Sequence, residues 1–586
     1  MNLTQKCILT DEMPRLVAET MRTSLFDYAF DSDKVPSLNL HYFCQDFLVT
    51  QGMVDKKIME EGNMLPLCDE LEYRISTPIW KPSAVSNKVL SFRTRLKHGE
   101  YEDLSIRKMD LENGFKGKLD YYRHSVEYLI ELFTSENSYV SMLLDQISFL
   151  LGEPYSFENR QIMIFCIKEF LSELINADVS KEHIFYQVNK VLFNSEAEKN
   201  GRSDSDYLKD FLCSLLPERT DYEVIFGIDD DVHRFFSKLT KYTRKASKEE
   251  EDILKAPYVC HYRKQIAPIE AYDYVSALSF AKSLFSDCLA AYNLGLHAPA
   301  FSAKPNGLVK KVDEDKYHLI NDSSNVLCRI ESRRRKDNEK VLDLMFNNQF
   351  DSRVEELFSL HNSALLAQNQ TSQLLNLWTI LEVAIDTKQS FTCRINYIAD
   401  VLTPILSTVY YKRLLERLYK YIARDKDARR CLERECPDID AFEGFALCVK
   451  NKNANIKNFF KDNLYLDFQF EKLADLFASR KTLRNDWKRH LNRIRWHLSR
   501  IYKTRCMIIH DGTIIPYLEN LVENLHYYVD ELFDYIIFNT ERGIISLDAI
   551  FSAARIKEYE IDSFLSDKSG SELITDEEFI NMFIAR

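Results

Sequence analysis

Along most of the chain apolar residues recur at three- and four-residue spacing, a period that predicts helices. Tyr128-Leu-Ile-Glu-Leu-Phe133 and the run 162–175 read this way, and they mark a helical domain over 116–217. The polar stretch 194–206 inside it reads as an exposed loop. A long helical pattern over 271–292 stops near Gly295. It shares a middle or linker region, 218–345, with one strand candidate, Tyr222-Glu-Val-Ile-Phe-Gly-Ile228. From residue 352 onward the pattern is helical almost without relief, at 354–367, 372–385, 397–422, 470–478, 491–509 and 516–538. These segments predict a helical bundle over 346–545 with a helical extension over 546–586. Residues 1–115 differ: short apolar runs alternate with turn signals such as Asp31-Ser-Asp33 and Lys81-Pro-Ser83. Val89-Leu-Ser-Phe-Arg-Thr-Arg95 reads as a strand, so this region is expected to be mixed α/β. The fold class is mainly α and multidomain, with a mixed or helical N-terminal half.

Composition agrees. At 586 residues the chain exceeds the size at which one hydrophobic core stops growing. Glycine and proline, 14 of each, are scarce, which favours long helices over many tightly turned strands. There is no apolar run long enough for a secretory signal or a bilayer span, so a soluble, cytoplasmic protein with no membrane partner is expected. The 13 cysteines are odd in number and scattered, and often sit in apolar helical contexts, as expected of reduced core thiols. Cys431, Cys436 and Cys448 come nearest to a metal cluster, but their spacing fits no common zinc pattern. Asp229-Asp-Asp231 reads as an exposed turn or helix cap. No metal is expected. Neither a Gly-x-x-x-x-Gly-Lys-Ser/Thr loop nor a Gly-x-Gly-x-x-Gly cradle occurs, so ATP- or NAD-dependent chemistry has no support and no cofactor is expected.

The net charge of −13 speaks against a polyanionic partner, but the distribution does not. Between Arg480 and Arg505 stand Lys481, Arg484, Lys488, Arg489, Arg493, Arg495, Arg500 and Lys503, against the single acid Asp486. Such a local excess is the footprint of phosphate binding; a solvated helix face is the other reading.

The basic run leads into Ile501-Tyr-Lys-Thr-Arg-Cys-Met-Ile-Ile-His-Asp-Gly512, followed at once by another apolar helix. This arrangement resembles the signature of HEPN domains, an arginine with a histidine four to six residues on. The tyrosine before the arginine, the His-Asp-Gly ending and the earlier Leu377-Trp-Thr-Ile-Leu-Glu382 resemble the Apea-like HEPN group in particular. The resemblance covers roughly 351–540 and at its widest reaches back to residue 272. It departs from the common pattern at Cys506, where many active members carry Asn, Asp or His.

The resemblance implies a HEPN-type bundle and a metal-independent endoribonuclease. Arg505 and His510 of two copies would line one shared cleft, so a homodimer or a larger even-numbered assembly is expected. It further implies a bacterial toxin or anti-phage effector of the abortive-infection kind, cleaving cellular RNA in answer to a phage-derived or cellular trigger. The N-terminal half would then sense the trigger or restrain the nuclease. RNA contacts are expected from Arg493, Arg495, Arg500 and Lys503. Cys506 favours the alternative, a catalytically silent HEPN module that binds RNA or a protein as a scaffold. A third reading is a helical interaction protein whose basic helix meets an acidic partner.

The chemistry suits these residues. RNA cleavage by its own 2′-hydroxyl needs proton exchange, the expected role of His510, and fixed positive charge over the phosphate, the expected role of Arg505. Met507, Ile508 and Ile509 would seat the helix, and Gly512 suits its end. The structural alternative has Arg505 capping a carboxylate such as Glu382 while His510 merely closes a helix. A second match, Arg484-Asn-Asp-Trp-Lys-Arg-His490, also fits the spacing, but its polar residues are expected to suit burial poorly.

Overall fold

The computed structural model describes residues 6–26, 34–76, 115–134, 138–194, 199, 201–216, 218–228, 243–248, 250, 261–293, 303–321, 335–347, 350–367, 369–385, 394–512, 515–567 and 573–584. The mainly α expectation holds, with one small antiparallel sheet among the described residues. Two compact units are present: Met1–Ile8 with Leu171–Arg329, and Leu9–Phe170 with Ile330–Arg586. The expected strand at 89–95 and the aspartates at 229–231 lie outside the described residues.

The first unit is built on strands β1 (Thr220–Ile228), β2 (Thr243–Lys245), β3 (His261–Gln265), β4 (Ile269–Ala271), β5 (Ala303–Lys311) and β6 (His318–Asn321). Their order is β2-β3-β1-β5-β6, with β4 also pairing β1. Side chains alternate across a strand, so Tyr222, Val224, Phe226 and Ile228 share a face. That face packs on Ala277, Leu278, Ala281 and Phe285 of the helix Tyr274–Asn293. Gly307 is required where the helix comes closest, since a Cβ there would run into Leu278 and stand 2.9 Å from the Ile225 carbonyl oxygen. Both the strand and the long helix expected in the middle region are present.

Among its described residues the second unit is helical. Its described N-terminal helices, Glu12–Ser24, Leu40–Asp55 and Leu65–Ser76, stand where a mixed α/β region is expected. Residues 9–170 also share this unit with the C-terminal helices, so the layout expected from the sequence, with separate regions over 1–115 and 116–217, does not describe it. The physical reason is a set of buried charges. Asp46 faces Lys503, Glu70 lies 2.5 Å from Arg500, and Lys34 lies 3.2 Å from Glu523. Apolar periodicity cannot disclose partners of this kind.

The long helix Arg480–Asp511, hereafter the motif helix, spans 32 residues. Ser479 caps its start by accepting from the Thr482 N–H, and Gly512 ends it with a left-handed φ of 63°. Gln370–Ala384 and Arg394–Thr408 pack against it, and Leu518–Glu541 follows it. The single helix expected over 397–422 is two, Arg394–Thr408 and Tyr410–Ile422, parted at Val409.

Candidate active site

The final turns of the motif helix meet the helix Gln370–Ala384 through one carboxylate. Trp378 donates its Nε1–H to Glu382 Oε1 at 3.0 Å, and its ring tilts against that of Tyr502 at 5.7 Å between centroids. Arg505 approaches the same oxygen at 3.8 Å, and Arg394 does so at 3.6 Å. The Trp-x-x-Leu-Glu segment and the arginine, more than a hundred positions apart in sequence, are thus brought together. One carboxylate thus accepts an indole N–H and stands at ion-pair distance from two guanidinium groups, while the Arg505 side chain stays 24% exposed.

Cys506, beside that arginine, is buried, and burial pushes its thiol above the usual range. At this position the chain has a core site, which a small weakly polar thiol suits better than Asn, Asp or His would. Met507 is buried too, whereas Ile509 is 48% exposed and His510 is exposed in the last helical turn. His510 stands five residues beyond Arg505, about 140° around the helix and about 7.5 Å along it. One copy therefore presents the two groups on different sides of the helix.

The basic run divides sharply. Arg500 and Lys503, expected to contact RNA, are 4% and 2% exposed and are held by Glu70 and Asp46. The Tyr517 hydroxyl also bonds Asp46, and burial drives the Lys503 ammonium down to about 7. These two cations brace the bundle and are not available to phosphate. Arg493 is half-buried and donates to the Tyr73 hydroxyl at 2.7 Å. Only Arg495 of the four expected contacts is exposed, 3.6 Å from Asp400. Lys481 and Lys488, also exposed, precede it at seven-residue steps, so the three form one stripe along the helix.

The upstream match is more deeply packed than its sequence suggests. Trp487 and His490 are both buried, and the His490 ring stacks on Tyr410 with 3.5 Å between centroids. Burial lowers its pKa well below the ordinary histidine value. A neutral imidazole enclosed in this way has no path to a substrate. A cavity of about 350 Å³, lined by Tyr410, Arg417, Tyr421, Lys472 and Arg489 among others, opens at this end of the motif helix. It lies about 32–42 Å along the helix from His510.

No protein-family profile, curated protein or solved structure matches the chain. Among the described residues no helix is long and apolar enough to cross a membrane. The nine described cysteines form no disulfide, and six of them are buried.

Proposed function

We propose that the chain is a HEPN-type endoribonuclease in which Arg505 and His510 of two copies form one metal-independent centre. The observation that carries this reading is the placement of the pair. Arg505 faces Glu382 yet is partly exposed, and His510 is exposed about 1.4 turns further along the same helix. Fixed positive charge and an exposed proton carrier, brought together from two copies, are what phosphoryl transfer to the RNA's own 2′-oxygen requires: that oxygen loses its proton and bonds phosphorus as the 5′-oxygen leaves and takes up a proton.

The angle of about 140° between the two residues favours assembly across a two-fold axis, because a second copy supplies the groups the first turns away. The exposed Ile509 next to His510 is suited to such an apolar seam. RNA approach falls to Lys481, Lys488 and Arg495, whose stripe spans about 21 Å of helix. A toxin or anti-phage role in the cytoplasm, answering to a trigger, is the setting proposed for this activity.

One observation favours the alternative of a silent module that binds RNA or a protein. Glu382 neutralises part of the Arg505 charge. Incubating the purified chain with labelled total RNA in the presence of a chelator separates the two. Defined cleavage products are expected from the nuclease; binding without cleavage by a dimeric protein would support the silent module.

A further inference from the structure

Two helices of the second unit, Ser352–Leu366 and Leu518–Glu541, bring together three metal-binding side chains that stand far apart in sequence. His361 Nε2 and His526 Nε2 face each other at 3.0 Å. The other ring nitrogen of His526, Nδ1, lies 3.8 Å from Asp530 Oδ2, one turn further along the same helix, although an ion would take only one of the two nitrogens. A donor atom from each of the three lies within 4.8 Å of the others. None of them belongs to the Arg505–Glu382 arrangement.

We propose that His361, His526 and Asp530 form a binding site for Zn²⁺ or a similar divalent first-row ion. The spacing is close to what an ion needs. Two imidazole nitrogens bound at about 2.0–2.1 Å in tetrahedral geometry stand about 3.3 Å apart, so the pair has only to open by about 0.3 Å to admit one. Donor type selects the class: two imidazoles with one carboxylate suit Zn²⁺, Co²⁺ or Ni²⁺, whereas Mg²⁺ and Ca²⁺ demand shells of oxygen.

Burial shapes the site. His526 and Asp530 are each 1% exposed, so an ion held between them would be shielded from water. Phe533 places an edge against His361 at 5.5 Å and stacks on Phe358, which gives the site an apolar wall. His361 is half-buried and leaves an entry path. With three protein ligands a fourth position remains for water. Because the ligands come from two helices, the ion clamps residue 361 to the helix that follows the motif helix.

The test uses the full chain, stripped with a chelator, dialysed and titrated with Co²⁺ and then Zn²⁺. Visible Co²⁺ absorption, elemental analysis and thermal melting are the readouts. The expected result is one Zn²⁺ per chain, displacement of the Co²⁺ bands by Zn²⁺, and a higher melting temperature with the ion. His361→Ala and Asp530→Asn should each weaken binding by at least about tenfold and abolish the melting shift. His361→Asp, which restores a donor, should recover part of it. Wild-type protein that takes up neither ion overturns the site, whether or not the variants fold. So does a strong thiolate-to-cobalt band, which would place the ion on cysteines, or a folded His361→Ala protein that binds as tightly as wild type.

Discussion

Arg505 and Glu382 face each other at 3.8 Å, and the same carboxylate oxygen accepts the Trp378 indole N–H. The pair links the motif helix to its neighbour through a charge contact. Glu382→Gln retains an acceptor for Trp378 but removes the charge facing Arg505. We expect it to fold normally and to lose about tenfold or more in single-turnover cleavage, through a misplaced guanidinium. Wild-type cleavage by a folded Glu382→Gln protein would free Arg505 from any dependence on this contact.

Buried charges should dominate the stability of the second unit. Removing one member of a buried pair leaves the other unpaired, at a cost of about 3–5 kcal/mol. Lys503→Met and Asp46→Asn should each lower the denaturation midpoint strongly, and the double variant should lose clearly less than the sum. Simple additivity in urea titrations would show that the two residues do not interact.

RNA binding should separate from folding along the motif helix. Lys488→Glu and Arg495→Glu change exposed positions, so melting should move little while RNA affinity falls and the salt slope drops by about one per lost phosphate contact. Arg500→Glu should instead yield poorly folded protein, since its side chain meets Glu70 inside the bundle. Unchanged RNA affinity for Lys488→Glu and Arg495→Glu together would dismiss the stripe as a binding surface.

His490 should make the fold acid-sensitive. Burial sets its folded pKa well below 6.5, the value the unfolded chain keeps. Below pH 6.5 the unfolded chain takes up a proton that the folded chain refuses, so the stability present above that pH is lost as the pH falls. His490→Phe keeps the stack on Tyr410 without a titrating nitrogen. Its stability relative to wild type should improve from pH 7 to pH 5, by at most about 1.4 kcal/mol per pH unit. A constant difference across that range would show that His490 does not couple to acid unfolding.

Much of the architecture was legible because helices announce themselves locally. The 3.6-residue period located the helices Ser352–Leu366, Gln370–Ala384 and Leu518–Glu541 to within a few residues, and Gly512 marked the end of the motif helix. The Glu382 partner for Arg505 could be named as one possibility because both lie in quoted motifs.

What stayed hidden depends on residues far apart. Lys503 and Asp46 are 457 positions apart, so a brace inside the bundle reads in sequence as part of a solvated basic run. His490 and Trp487 looked too polar in company to be buried, yet each occupies the inward side of a helix whose outward side carries Lys488 and Arg489. The His361, His526 and Asp530 set shows only its His-x-x-x-Asp half in sequence, and the third donor comes from another helix.

The central claim rests on Arg505 and His510, and cleavage of one labelled RNA by wild type, Arg505→Ala and His510→Ala tests it most directly. Circular dichroism and size-exclusion chromatography confirm that each protein is folded and equally assembled. The account predicts cleavage by wild type and none by either variant, with melting and assembly unchanged. Cleavage by both folded variants at the wild-type rate, or none by an assembled wild-type protein across cellular RNA, would contradict it.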